Sequence, residues 1–234
     1  MTGGRSLVHE GTWITFEGIE GTGKSTQIER LAERLRGLGR PLILTREPGG
    51  TELGRGLREL LLRPTETPMD PLAELLLYAA DRAQHLRQVV IPALERGDLV
   101  LCDRYLDATL AYQGFGRGLG VDLVLDLHRQ EPLDMRPRRT VLLDLDPTLA
   151  VGRARRRNVG AGLDETEGRF EKERLEFHRR VRQGYLELAS AEPDRFRVVD
   201  AAGTPDEVER RIAGALADLL DPDRPVTRSS GNGG

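Results

Sequence analysis

Trp13-Ile14-Thr15-Phe16-Glu17 runs directly into Gly18-Ile19-Glu20-Gly21-Thr22-Gly23-Lys24-Ser25. The first part is a short apolar run that reads as a strand. The second satisfies G-x-x-x-x-G-K-[ST] without a mismatch. From Thr26 to Leu38 the apolar residues Ile28, Leu31, Ala32 and Leu35 recur at helical spacing. A strand, a glycine loop and a helix N-terminus in this order make an anion site, because unpaired backbone N–H groups and the helix dipole face one ligand. Gly18, Ile19, Glu20, Gly21, Thr22, Gly23, Lys24, Ser25 and Thr26 are therefore the expected phosphate cradle. Lys24 is one of two lysines among 35 Lys plus Arg residues. Its compact ammonium suits the β- and γ-phosphates of a nucleoside triphosphate as a point charge, where a planar guanidinium is too wide. The Ser25 hydroxyl suits Mg²⁺.

Composition narrows the class. A chain of 234 residues with 38% apolar and 31% charged residues can form one α/β domain with a full core. A net charge of −3 carries no nucleic-acid footprint. No stretch reaches about 18 uninterrupted apolar residues, so no membrane span is expected. Met1 to Thr12 lacks an apolar core of a secretory signal and is read as a flexible N-terminus. Cys102, the only cysteine, excludes an intrachain disulfide and fits a reducing, cytoplasmic setting. It sits in Leu99-Val100-Leu101-Cys102, which predicts a buried, inert thiol. Asp221 to Gly234, rich in Pro, Ser, Gly and charge, is expected to be disordered.

Strand candidates at Trp13–Glu17, Pro41–Thr45, Leu99–Cys102, Thr140–Leu145 and Phe196–Val199 alternate with helical segments. The latter are Thr26–Leu38, Thr51–Leu62, Asp70–Glu95, Asp122–Arg129, Thr148–Arg157, Gly168–Ala189 and Asp206–Leu220. The alternation predicts a five-stranded parallel sheet with helices on both faces, a P-loop NTPase architecture spanning residues 13–220. Ligands then bind at the carboxyl ends of the strands. Three of those ends carry charge: Arg46-Glu47, Asp103-Arg104 and Asp144-Leu145-Asp146. Their coincidence predicts one shared site.

The loop alone fits several phosphate-handling classes. A guanine reader of the Asn-Lys-x-Asp type is absent, since neither Asn158 nor Asn232 precedes lysine. A Leu-Ser-Gly-Gly-Gln segment is absent too. Small-molecule kinases remain. Arg153, Arg155, Arg156 and Arg157 precede Asn158-Val159-Gly160-Ala161-Gly162. A basic cluster on a glycine-containing segment, about 153–168, can act as a mobile lid that neutralises a transferring phosphoryl group. A solvated basic helix end or a nucleic-acid patch would have the same composition.

Four blocks together resemble the bacterial thymidylate kinases: Phe16 to Ser25, Arg46-Glu47-Pro48-Gly49-Gly50-Thr51, Leu76-Leu77-Tyr78-Ala79-Ala80-Asp81-Arg82-Ala83-Gln84-His85, and Asp103-Arg104-Tyr105 followed by Ala111-Tyr112-Gln113-Gly114. The resemblance spans about Trp13 to Leu220. It implies phosphoryl transfer from MgATP to dTMP by a homodimer. It further implies that Tyr78 stacks on thymine and Arg82 hydrogen-bonds the base, with Thr109 and Gln113 near the base edge. Tyr112 would lie beside the sugar, Arg104 would hold the acceptor phosphate, and Asp103 would lie near Mg²⁺. Arg58 would be a further substrate-side arginine. Glu20 would lie near the sugar 3′-OH and the metal. Some relatives carry an arginine in the loop where this chain has Gly21, so the catalytic arginine is expected from Arg153 to Arg157.

Such chemistry needs alignment and charge neutralisation more than a general base, because the acceptor is already an anion. His85 and His128 are read as structural. Tyr78, following Leu75, Leu76 and Leu77, has a competing reading as a core aromatic. A kinase of another nucleotide or of a deoxynucleoside, and a non-catalytic ATP-binding module, are the alternative functions.

Overall fold

The structure is a computed structural model that describes residues 11–161, 169–170 and 173–220, with the backbone alone at 155 and 157–161. The expected N-terminal extension before Gly11, much of the lid (162–168) and the tail (221–234) lie outside the described residues.

Five strands form one parallel sheet: β1 (Thr12–Glu17), β2 (Leu42–Arg46), β3 (Leu99–Asp103), β4 (Arg139–Asp144) and β5 (Phe196–Asp200), in spatial order β2-β3-β1-β4-β5. Thr12, placed by sequence in the flexible N-terminus, already pairs with Leu99. Alternating side chains assign the two faces, as the pleat requires. Ile14, Phe16 and Leu101 pack with Ile28, Leu31, Val181 and Val208 on one side. Trp13 and Val100 pack with Leu75, Leu86, Leu94 and Val124 on the other. The sheet is thus buried on both faces, which explains its near-continuous apolar strands.

The helices are α1 (Lys24–Gly37), α2 (Glu52–Leu62), α3 (Pro71–His85), α4 (Ile91–Glu95), α5 (Leu106–Thr109), α6 (Val121–Leu127), α7 (Pro147–Ala161), α8 (Leu175–Ala191), α9 (Pro205–Ala215) and α10 (Ala217–Leu220). Asp70 caps α3 by accepting the N–H groups of Leu72 and Ala73 at 2.9 and 3.1 Å. A π-helical turn over Leu86–Val90 joins α3 to α4, and another over Leu110–Gly116 continues α5. The second was not legible as an element, because Gly114 and Gly116 weaken its helical signature. Its support is tertiary: Gly116 lies against the Phe177 ring and Val181 of α8.

The chain departs from expectation at α7. Asn158 to Ala161 continue the helix instead of opening a glycine loop. The preceding Ala and Arg residues are strong helix formers and outweigh a single Gly160. Helix α8 starts at Leu175, later than the expected Gly168.

Candidate active site

The glycine loop occupies the turn between β1 and α1. Gly23 adopts φ 91°, a left-handed backbone that a side chain disfavours, and no side chain caps α1. The first helical N–H groups are thereby left for an anion. Gly21, at φ 81°, lies so close to α7 that a Cβ would collide with the Ala150 carbonyl. A loop arginine could not occupy this position without moving α7. Lys24 is buried. Its Nζ donates to the Gly18 and Ile19 carbonyls at 2.9 and 3.0 Å. Burial and the neighbouring Arg104 cation lower its pKa to about 8. Thr22 donates to the Ile19 carbonyl at 3.0 Å and braces the same turn.

Arg104 follows β3 at φ 69°, the one non-glycine residue with positive φ among the described residues. This strained backbone is held from both sides. Its own N–H donates to the Phe16 carbonyl at 3.0 Å, and the Tyr105 N–H donates to Glu17 Oε1 at 2.8 Å. The guanidinium donates to the Gly18 carbonyl at 3.0 Å, to Glu20 Oε1 at 2.8 Å, and to the hydroxyls of Tyr112 and Tyr185 at 3.2 Å each. Tyr112 also donates to Glu20, at 2.7 Å. Burial alone would raise the Glu20 pKa, but Arg104 and Lys24 outweigh it and hold the carboxyl below its ordinary range. Glu20 is therefore an anion engaged by Arg104, and its place inside a phosphate loop has an electrostatic cause. Glu17 is pushed the other way, to about 8, by complete burial and by Asp107. Behind Arg104, Cys102 is buried as expected, and its thiol donates to the Arg104 carbonyl at 3.0 Å.

A cavity of about 410 Å³ opens at the carboxyl edge of the sheet. Its lining joins Lys24, Ser25 and Thr26 at one end to Tyr78, Arg82, Thr109 and Gln113 at the other, with Asp103, Arg104 and Tyr112 between. Arg58 and Glu20 line it too, and Arg58 donates to the Pro48 carbonyl at 3.2 Å. Tyr78 and Arg82 share one face of α3, as the i, i+4 spacing requires. Tyr78 is half-buried against the core while it lines the cavity, so both readings of this residue describe part of it.

Arg82 is 1% exposed and held by three partners. Its Nε donates to Glu47 Oε2 at 2.8 Å, one terminal nitrogen contacts His128 Nε2 at 2.8 Å, and the other donates to Thr109 Oγ1 at 3.0 Å. Glu47 also pairs with His85 Nδ1 at 2.7 Å, and His85 Nε2 meets Thr45 Oγ1 at 2.7 Å. Gln113 donates to Glu74 at 2.6 Å. Glu74, fully buried, also pairs with Arg117 and Arg169. Phe170 lines the cavity beside Tyr112, with ring centroids 5.3 Å apart. Glu47 and Phe170 face the site without having been singled out as site residues. The motif Arg46-Glu47-Pro48 was the signal for Glu47. Phe170 had none, because only the fold brings Tyr112 and the cavity to it.

One expectation fails. Asp144 and Asp146, the third charged strand end, do not line the cavity. Asp144 pairs with Arg182 of α8 at 2.6 and 2.8 Å, and Asp146 accepts the Thr148 N–H at 2.9 Å at the start of α7. Neither Arg153 nor Arg156 reaches the cavity. Arg153 donates to the Ala201 carbonyl at 3.1 Å, and Arg156 is exposed. The side chains of Arg155 and Arg157 are outside the described residues.

The site suits a hard cation. Ser25 Oγ donates to Asp103 Oδ2 at 3.1 Å, and Asp103 Oδ1 is buried with no hydrogen-bond partner among the described residues. Oxygen donors of this kind match Mg²⁺, which takes one or two protein ligands and completes its shell with water and phosphate.

The thymidylate kinase family model matches residues 16–212. The chain belongs to the thymidylate kinase family. It is 53% identical over 208 residues to the thymidylate kinase of Solidesulfovibrio magneticus, covering 89% of this chain and all of the relative. It is 51% identical over 209 residues to that of Deinococcus radiodurans, covering 89% and 98%. The crystal structure of thymidylate kinase from Ehrlichia chaffeensis superimposes with a TM-score of 0.68 at 32% identity, covering 88% of this chain and 98% of that one. For this family member, the P-loop architecture with a five-stranded parallel sheet stands as expected.

Proposed function

We propose that this chain transfers the γ-phosphoryl group of MgATP to dTMP, giving ADP and dTDP. The observation that carries the choice of base is the polarity of the cavity's far end. A carboxylate accepts only, so Glu74 takes the amide N–H of Gln113 and leaves Gln113 Oε1 as an acceptor. Arg82 presents donors alone. One donor and one acceptor match O4 and N3–H of thymine. Cytosine reverses both, with an amino group and a bare N3, and would leave buried polar groups unpaired.

In the transfer, an oxygen of the dTMP phosphate attacks the γ-phosphorus and the bond to the β-phosphate oxygen breaks. Arg104 holds the acceptor phosphate, and Lys24 with the α1 N-terminus holds the donor phosphates. Glu20 fixes Arg104 and lies near the sugar with Tyr112. Mg²⁺, when bound, neutralises charge on the donor phosphates; Ser25 and Asp103 would hold it. The lid arginines Arg153, Arg155, Arg156 and Arg157 complete the charge neutralisation. Arg153 and Arg156 must then approach from the positions described above. Arg58 supports the acceptor side.

The same reading takes the enzyme as a cytoplasmic homodimer that binds no nucleic acid. The net charge of −3, the single buried cysteine, and exposed Leu72, Leu76 and Leu123 on α3 and α6 support it. Among the described residues, no helix is long and apolar enough to cross a membrane.

A steady-state assay with dTMP, dUMP, dCMP, AMP and thymidine tests the reaction. ADP release should be fastest with dTMP and at least about a hundredfold slower with dCMP, as expected when buried donors and acceptors are mismatched. Thymidine should not react. Preference for thymidine or for another monophosphate would overturn the proposal.

A further inference from the structure

His128 does not line the cavity, is fully buried, and follows the last residue of α6. Its Nδ1 lies 2.6 Å from the Val124 carbonyl, which cannot donate, so Nδ1 carries the proton. Its Nε2 lies 2.8 Å from a terminal nitrogen of Arg82, which cannot accept, so Nε2 must be the bare nitrogen. The two contacts together specify one neutral tautomer. A cationic imidazole would oppose donor to donor. Burial and the Arg82 cation push His128 in the same direction, down to about 4.

Arg82 has five N–H donors. Glu47, His128 and Thr109 each take one, at different points on the guanidinium. The Tyr105 ring lies 4.8 Å away and closes one face. Glu47 alone would leave the plane free to pivot about Nε. Thr109 and His128, one on each terminal nitrogen, remove that freedom, and His128 alone restrains the nitrogen opposite Thr109. Two terminal N–H groups remain for a ligand in the cavity that Arg82 lines.

We infer that His128 is a positioning residue for base selection: its Nε2 lone pair holds the Arg82 guanidinium in the orientation that presents its remaining donors to a base carbonyl. This rests on the reading of the cavity as the dTMP site. Replacing a histidine that merely fills the core would leave the Arg82 donors, and so the choice of base, unchanged. The role makes the residue that ends α6, 46 positions along the chain from Arg82, part of the specificity apparatus.

The test compares His128→Leu, which has no acceptor, with His128→Gln, whose side-chain carbonyl reaches about the same point as Nε2. His128→Leu should raise the KM for dTMP about tenfold and lower the dTMP-over-dCMP preference by a similar factor, the size of one lost charged hydrogen bond. The KM for ATP should stay within about twofold. His128→Gln should recover most of the dTMP loss. Equal KM values for dTMP in the two variants would overturn the inference. Should His128→Leu fail to fold, ¹⁵N NMR of the unmodified protein with and without dTMP decides: a protonated Nε2, or an Nε2 shift that ignores dTMP, refutes the inference, and a bare Nε2 whose shift responds to dTMP but not to ATP upholds it. Arg82→Ala separates the two levels. If Arg82→Ala leaves kcat/KM for dTMP unchanged, the assignment of the base site fails. If Arg82→Ala is damaging and His128→Leu is not, only the role of His128 fails.

Discussion

Glu17 Oε1 accepts the backbone N–H of Tyr105 at 2.8 Å, and this bond holds the strained backbone next to Arg104 from beneath. Glu17 Oε2 accepts from the Tyr185 hydroxyl at 2.7 Å, and that hydroxyl accepts from Arg104 at 3.2 Å. A buried carboxyl at the end of β1 thus supports both the backbone and the side chain of the residue placed at the centre of the cavity.

The burial of Glu17 has a pH signature. Its pKa rises from an ordinary 4.5 to about 8, because burial disfavours the anion. Between these values the folded state binds more protons at this group than the unfolded state, so its contribution makes stability fall as pH rises. Below about 4.5 the contribution is fully present, and it is lost as pH passes through about 8. Glu17→Gln, permanently neutral, should flatten this part of the pH dependence. Thermal melts from pH 5 to 9 check it; identical slopes in both proteins would count against a neutral Glu17.

Lys24→Ala should reduce kcat by about a thousandfold, the range for a group that stabilises charge at a transferring phosphoryl. The lysine is buried and bonded to two loop carbonyls rather than exposed, so some loss of Tm is expected as well. Circular dichroism beside single-turnover kinetics separates the two. A folded variant with near-normal turnover would contradict the phosphate role.

Gly21→Ala should cost on the order of 1–3 kcal/mol from its left-handed backbone alone, and more from the collision with Ala150. Because α7 must shift to relieve it, the KM for ATP should rise more than the KM for dTMP. Denaturant melts and both KM values provide the measurement; an unchanged Tm would mean that α7 does not press on the loop in solution.

Tyr78→Phe should change little, because the aromatic face remains. Tyr78→Ala should raise the KM for dTMP by roughly tenfold to a hundredfold while ATP binding is kept, by loss of a stacking surface of about 1–3 kcal/mol. Equal weakening of ATP and dTMP by Tyr78→Ala, measured by calorimetry, would assign the residue to the core.

The P-loop was legible in the chain because its anion site is built from consecutive backbone groups. Gly18 to Ser25 follow an apolar run and precede a helical period, and no distant residue is needed to read that. The parallel sheet was legible for a similar reason, since apolar strands alternating with amphipathic helices can bury both kinds of surface in few ways. What the strand ends do was not. Arg46, Asp103 and Asp144 look alike in sequence, yet β2 and β3 deliver theirs to the cavity while Asp144 is taken by Arg182. The packing of α8 decides that difference. The same holds for the base site. Arg82 is visible as a motif residue, but Glu47, Thr109 and His128 meet it only because β2, α5 and the end of α6 converge on α3. A buried cation must find its acceptors wherever the fold brings them, and sequence separation places no limit on which they are.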